Sequence, residues 1–349
     1  MNKQDLWGLS LRELKKLLCS WGEPAYRADQ VYHWLYRRLV LSVDQMTNLP
    51  IQLRQRLKDE MILPSLTVAQ SHCSADAKAL KLLFSAGDGQ AIEGVLLKYR
   101  RWVSACLSSQ AGCRMGCAFC ASASGGLVRN LTVGEMTGQL VYLTKGAQRQ
   151  GADLRSLVLM GTGEPLDNYN NVLSFLAQVT QAEGFDLSYR RITLSTCGLV
   201  PEIRCLAQEK LPLTLAVSLH APTDDLRTEL MPINSAYPVA ELIAACHEYV
   251  QATGRRLTFE YTLLAQVNDS PQQAHQLADL VQGLACHVNL IPFNPVLRSR
   301  FKTPAPGDVQ IFQQVLQDRG VPVTVRRELG QDISAACGQL RHQVLKKRM

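Results

Sequence analysis

Three cysteines within eight residues, Cys113, Cys117 and Cys120, are the densest concentration of reactive groups in the sequence. In GCRMGCAFC they stand at C-x3-C-x2-C, and thiolates so spaced on one loop can surround a polynuclear metal centre. A [4Fe-4S] cluster held by three cysteines leaves one iron for a small molecule. Two other readings stay open on spacing alone. One is a zinc site, which needs a fourth ligand such as Cys106; the other is chance in a chain with eleven cysteines. A second motif, Gly161-Thr162-Gly163-Glu164-Pro165, is a glycine-rich turn that lets backbone approach a ligand closely. Alone it reads as an ordinary turn. Placed one strand-helix unit after the cysteines, it reads as part of the same site.

Hydrophobic periodicity supplies the frame for these motifs. LRELKKLL and ADQVYHWLYRRL carry apolar residues at helical spacing, so residues 1–75 read as a helical N-terminal accessory domain, either with Lys15, Lys16, Arg27, Arg37 and Arg38 available for the phosphates of RNA or as a plain helical packing extension. Residues 76–98 read as a β-rich extension, through KALKLLF and AIEGVLLKY. Over residues 99–330, strand-like runs (SLVLM, RRITLST, LTLAVSLH, RLTFEYTLL, CHVNLIPF, VPVTVRR) alternate with helical segments. That alternation predicts an α/β fold with a parallel sheet, barrel or doubly wound. The strands are followed by GCRMGCAFC, GTGEP, LSTCG, SLHAP and PFNP. Such polar and glycine-rich clusters at successive strand ends are where parallel sheets build active sites. Residues 331–349 form a C-terminal segment.

Composition narrows the class. With 349 residues, 46% hydrophobic and 19% charged, the chain can bury a large core and is neither disordered nor a coiled coil. An odd number of scattered cysteines argues against a disulfide framework and for reduced thiols. The N-terminus has no cleavable apolar leader, and no run approaches about 18 apolar residues. We expect a cytoplasmic protein, monomeric and without a membrane partner. The net charge of +7 is unevenly placed: residues 297–349 hold ten Lys or Arg against four Asp or Glu, and Gly94 to Gly134 hold five basic residues and no acid. Such segments suit a polyanionic partner such as nucleic acid, or simply a solvated basic surface.

C-x3-C-x2-C with an aromatic residue before the last cysteine resembles the signature of radical S-adenosylmethionine (SAM) enzymes, and GTGEP resembles their GGEP-type motif. CLSSQAGCRMGCAFCAS, MGTGEPLDNY, ITLSTCG, SLHAPTDDLRTELMPIN, VNLIPFNP and DISAACGQL follow in order. Over nearly its whole length the chain is similar to the RlmN and Cfr family of RNA methyltransferases. The resemblance implies a partial (βα)6-type radical SAM barrel with a small helical N-terminal domain. It implies a [4Fe-4S] cluster on Cys113, Cys117 and Cys120, two SAM per turnover, and flavodoxin or ferredoxin as reductant. The implied substrates are C2 of adenosine 2503 in 23S rRNA and C2 of adenosine 37 in some tRNAs. Cfr-like methylation at C8 of the rRNA adenosine is the alternative within the family. A non-catalytic, zinc-containing RNA-binding protein is the alternative from another class.

The resemblance also assigns residues. Cys337 would accept a methyl group from one SAM by displacement. The second SAM, reductively cleaved, would supply the radical that removes hydrogen from that methyl, and the resulting methylene would add to the adenine ring. Glu93 would accept the ring proton, and Cys106 would release the protein–RNA link as a transient disulfide with Cys337. Gly163, Glu164, Ser195, Ser218, Leu219, His220 and Asn294 match the family's SAM contacts. On local sequence alone, Cys106 reads as a core thiol, Glu93 as a surface strand residue and His220 as a structural histidine. The chain departs from the common pattern at Thr162, where many relatives carry Met, and at Ser122 and Cys197. Lys98 to Arg129, with Arg298, Arg300, Lys302, Arg326 and Arg327, are candidates for the RNA backbone.

Overall fold

The computed structural model describes residues 3–100, 102–295, 299–326, 329 and 331–333. A short strand β1 (Gln4–Asp5) is followed by helices α1 (Leu11–Ser20), α2 (Tyr26–Tyr36) and α3 (Ile51–Glu60), and β2 (Met61–Ile62) returns to pair in parallel with β1. Ser10 starts α1 as a capping box: its hydroxyl accepts from the Glu13 N–H at 3.3 Å, and its own N–H donates to the Glu13 carboxylate at 2.8 Å. Leu14 and Leu18, four apart, then fall on one face and are buried against Val31 and Leu35 of α2. Each such leucine contributes about 2 kcal/mol of transfer free energy.

Three antiparallel strands come next: β3 (Leu66–Cys73), β4 (Ala79–Ala86) and β5 (Ala91–Lys98). β6 (Val103–Leu107) pairs antiparallel with β5 and, on its other edge, parallel with a later strand. A small hairpin of β7 (Gln110–Gly112) and β8 (Leu127–Asn130) interrupts the chain before α4 (Val133–Arg149). Strand and helix then alternate as β9 (Leu154–Leu159), α5 (Tyr169–Thr180), β10 (Ile192–Thr196), α6 (Val200–Glu209) and β11 (Thr214–Ser218). They continue as α7 (Asp224–Leu230), α8 (Val239–Thr253), β12 (Leu257–Leu263), α9 (Pro271–Leu280), β13 (Cys286–Pro292), α10 (Pro306–Asp318) and β14 (Val323–Val325).

Among the described residues β3–β6 and β9–β14 form one ten-stranded sheet, ordered 14-13-12-11-10-9-6-5-4-3. β6 and β9–β14 run parallel, each joined to the next by at least one helix. This is the partial (βα)6-type barrel expected, with a seventh strand added and three antiparallel strands on the opposite edge. Residues 76–98 thus belong to the same sheet as the barrel strands.

Period-two alternation sorts the parallel strands into two faces. Leu157, Leu159, Leu194, Leu215, Val217, Phe259, Tyr261, Val288 and Leu290 point outward into the core under the helices; the Tyr261 ring lies 5.2 Å from that of Phe312 on α10. The intervening residues, including Ser195, Ser218, Glu260 and Asn289, line the concave inner face.

The N-terminal helices dock on α4. Trp7 and Val141 share their apolar cluster, and Gly134 on α4 has no side chain where a Cβ would stand 1.7 Å from Asp5 Oδ2. Four residues on, a Cβ at Gly138 would be 3.0 Å from the Trp7 ring. Close approach of β1 to this helix face therefore requires those glycines.

Candidate active site

The β7–β8 hairpin closes the base of the cysteine loop: the Cys113 N–H donates to the Gly126 carbonyl at 3.0 Å. Within it the Cys120 N–H turns back on the Cys117 carbonyl at 3.1 Å, and the Ala118 N–H donates to Leu230 at the end of α7 at 2.9 Å. Cys113 is buried, Cys117 and Cys120 half-buried. Burial, with Cys120 and Glu164 nearby, pushes the Cys113 thiol up to about 11; burial and its two partner thiols push Cys117 higher still. One short loop thus gathers three thiols.

The GTGEP turn lies against the strand that leads to this loop. The Gly161 N–H donates to the Leu107 carbonyl at 2.9 Å, the Thr162 N–H to Ser108 Oγ at 2.9 Å, and the Thr162 carbonyl accepts from Ser109 and Gln110. Gly163 has φ +110°, and a Cβ there would fall 2.6 Å from the Gln110 Cβ, so the turn requires glycine on both counts. Glu164 is buried, with its N–H donating to Gln110 Oε1 at 2.8 Å. Its carboxylate accepts from the Leu166 N–H at 3.0 Å and from the Cys197 N–H at 2.7 Å, locking the ends of β9 and β10 together. Burial raises its pKa against the pull of these donors.

Ser195 and Ser218 occupy the inner face at the ends of β10 and β11, and Ser218 stands in register with Glu260 on β12. Leu219 and His220 follow at once, His220 at φ +58°. Its Nδ1 accepts from the Thr262 N–H at 2.8 Å, so the neutral ring carries its proton on Nε2. Burial, helped by Arg227, lowers its pKa to about 3. Asn294 follows β13 at the same end of the sheet. The sequence-assigned SAM contacts therefore converge on one edge, beside the cysteine loop.

Cys106 and Glu93 lie on neighbouring strands. Cys106 is opposite Val95, two residues from Glu93, so both side chains emerge on the inner face. Glu93 is buried, unlike the surface strand residue its local sequence suggested. Lys81 of β4 reaches it from the same face, Nζ to Oε1 at 3.6 Å. The charged groups that act on Cys106 are Arg326, Lys81 and Glu93. Among the described residues no three His, Cys, Asp or Glu converge closely enough for a single metal ion, as zinc would require. Cys337 lies outside the described residues. The ten described cysteines are all free thiols.

With this geometry in view, comparison with known proteins is decisive. The family model for the ribosomal RNA large subunit methyltransferase N-terminal domain matches residues 4–63, and that for the Radical SAM superfamily matches residues 107–278. A "Probable dual-specificity RNA methyltransferase RlmN" of Symbiobacterium thermophilum is 47% identical, spanning 100% of this chain and 94% of its own. Its namesake in Desulforamulus reducens is 50% identical, over 98% of this chain and 97% of its own. This chain belongs to the RlmN family of radical SAM RNA methyltransferases. The crystal structure of a radical SAM methyltransferase from Sphaerobacter thermophilus superimposes with a TM-score of 0.95 at 48% identity, covering 96% of this chain and 98% of that one.

Membership of the RlmN family implies a [4Fe-4S] cluster and SAM, and the residues present fit both. Three thiols on one loop are the donor set such a cluster takes. The Oγ atoms of Ser122 and Thr162 and Oε2 of Glu260 are buried and, among the described residues, without a hydrogen-bond partner. Buried polar atoms of this kind, at the loop, the GTGEP turn and the inner face, suit polar ligands.

One organising residue escaped the sequence reading. Arg227 on α7 is fully buried and, instead of pairing with a carboxylate, donates to the carbonyls of Cys197 (2.7 Å), Ser218 (3.2 Å) and Leu219 (3.2 Å) and to Asn234 Oδ1 (3.0 Å). The Cys197 peptide therefore bridges Glu164 through its N–H and Arg227 through its carbonyl. The only sequence signal was an arginine three residues into an amphipathic turn, indistinguishable from a surface cation.

The basic residues offered to RNA sit in different surroundings. Arg129 is held by Asp88 at 2.6 Å and Glu135 at 2.7 Å, Arg114 pairs with Asp167, and Arg300 with Glu229 at 2.7 Å. Arg326 contacts Met160 Sδ at 3.9 Å and acts on Cys106 and Glu260, so it serves the inner face rather than an outer rim. Lys98, Arg100 and Lys302 are exposed, and so are Arg114 and Arg300 despite their ion pairs. Lys98 and Arg100 lie at the start of β6, about 17 Å along that strand from the cluster-loop end. The basic run from Lys98 to Arg129 is thus divided between two ends of the sheet. Arg298 and Arg327 lie outside the described residues. No helix among those described is long and apolar enough to cross a membrane.

Proposed function

We propose that this RlmN-family protein methylates C2 of an adenosine in 23S rRNA and in certain tRNAs, through a methyl group carried on Cys337. Cys113, Cys117 and Cys120 hold the cluster, and Gly163, Glu164, Ser195, Ser218, Leu219, His220 and Asn294 hold SAM against it. When bound, the pair supplies a carbon-centred radical for hydrogen abstraction from an unactivated methyl group. The surrounding chain excludes water and keeps His220 neutral, a donor rather than a cation beside a cationic sulfonium. Glu93 takes the ring proton, and Cys106 releases the RNA by disulfide formation with Cys337.

The observation that carries this reading is the shared inner face of Cys106 and Glu93, beside the strand end from which the cysteine loop departs. A thiol and a carboxylate that the resemblance pairs in one reaction thus stand on the same face of neighbouring strands. An extruded adenine fits such an enclosed site better than a base still in its stack.

Anaerobic reaction with protein-free 23S rRNA and bulk tRNA, followed by nucleoside mass spectrometry, tests it. The expected product is 2-methyladenosine from both; 8-methyladenosine alone would replace C2 by C8. A brown protein with about four iron and four sulfide per chain is expected, and a colourless one with stoichiometric zinc would return the zinc-binding reading. Cys337→Ala should abolish methyl transfer with the cluster retained. Cys106→Ala should accumulate protein covalently joined to RNA.

A further inference from the structure

A lysine ammonium is rarely buried completely, and Lys81 is 1% exposed with no surface role open to it. Its place follows from register. On β4, Lys81 is opposite Val95 and Leu83 is opposite Glu93; on β6, Cys106 is opposite Val95 from the other side. Lys81 and Cys106 therefore flank one valine on the inner face, with Glu93 diagonal to Lys81. The ion pair to Glu93 spans 3.6 Å, and both side chains are withdrawn from water. In such surroundings a charge is tolerated only beside its opposite.

We propose that Lys81 is a positioning residue for product release: its buried ammonium, paired with Glu93 and standing across Val95 from Cys106, holds the proton acceptor in place and sets the charge that faces the resolving thiol. The inference rests on the reading of Cys106 and Glu93 as resolving thiol and proton acceptor. In the step served, Cys106 Sγ, as thiolate, forms an S–S bond to Cys337 Sγ. The bond from Cys337 Sγ to the methylene carbon breaks, and its electron pair passes to that carbon, which takes up a proton and becomes the methyl group. The sulfurs lose the two electrons that the carbon gains, and Glu93 holds the proton taken earlier from the ring.

The electrostatics around Cys106 run in the same sense. Burial pushes the Cys106 thiol up, and Arg326, a hydrogen bond with the Met160 backbone and Lys81 oppose it, while Glu93 reinforces it. Lys81 from β4, Glu93 from β5 and Arg326 beyond β14 are the charged groups facing Cys106 among the described residues. Val158 of β9, its register partner, is neutral.

The test measures Cys106 itself. In cluster-loaded enzyme, the rate of Cys106 alkylation by iodoacetamide is followed against pH, resolved by peptide mass spectrometry. Lys81→Met should move the reactivity curve to higher pH, with roughly tenfold slower alkylation on its rising limb per unit of displacement. Glu93→Gln should move it to lower pH, and Lys81→Arg should leave it near the original. Opposite displacements from the two members of one pair are not what loss of packing would produce. If Lys81→Met does not fold, Lys81→Met/Glu93→Gln replaces both charges, and its curve should lie above that of Glu93→Gln alone. Coincident curves in either comparison would overturn the inference. With RNA, Lys81→Met should accumulate the covalent adduct and recover at higher pH. If Cys106→Ala turns over cleanly with no adduct, the reading of Cys106 fails instead, whatever the alkylation curves show.

Discussion

The ring of Phe119, set between the second and third cysteines of the loop, meets the imidazole of His220 edge to face with centroids 4.7 Å apart. This contact ties the cysteine loop to the turn after β11. It also helps to bury His220, whose pKa falls to about 3. An unfolded histidine titrates near 6.5, so folding excludes a proton between those values. Stability from this group is complete above about pH 6.5 and is lost as pH falls toward 3, by at most about 5 kcal/mol. In His220→Gln this contribution is absent, so the stability gap between wild type and variant should narrow as pH drops from 7 to 4.5 in urea unfolding. A gap constant over that range would show that His220 is not the titrating group.

Arg227 should be intolerant of even conservative change. Lysine cannot fork among three carbonyls and an amide, so Arg227→Lys leaves buried acceptors unpaired, at roughly 3 kcal/mol or more. The turns holding Cys197 and Ser218 to His220 would relax together. Thermal unfolding should show the loss, and calorimetry should show weakened SAM binding in whatever variant still folds. Unchanged SAM affinity in a folded Arg227→Lys protein would limit Arg227 to a purely structural part.

Gly134→Ala probes the docking of the N-terminal helices. A methyl group 1.7 Å from Asp5 Oδ2 must displace β1, and overpacking of this kind costs about 1–3 kcal/mol. Denaturant unfolding should show a lower midpoint. Protease should cut the first 63 residues sooner than the barrel.

Basic residues near one another in sequence should behave differently toward RNA. Lys98→Ala and Arg100→Ala remove exposed charges, and each should reduce the salt dependence of RNA binding by about one ion if that face touches phosphate. Arg129→Ala breaks bonds to Asp88 and Glu135 and should lower stability with little change in the salt slope. A reduced slope for Arg129→Ala alone would reverse this assignment.

The sequence by itself determined the chemistry and the order of elements. Cysteine spacing is local, and one loop of eight residues needs no distant partner to bring its thiols together. Strand and helix periods are equally local, so the run from SLVLM to VPVTVRR was legible as a parallel α/β array, and the glycine-rich and polar strand ends marked one edge as the site. Strand order, register and charge pairing were decided only by tertiary structure. Nothing in KALKLLF distinguishes a lysine pointing to solvent from Lys81 facing Glu93, because the face a strand residue takes depends on how its neighbours pair. Arg129 and Arg326 counted as surface cations in the sequence for the same reason. Their carboxylate, thioether and thiol neighbours lie between six and about 220 residues away along the chain, and only the folded sheet brings them into contact.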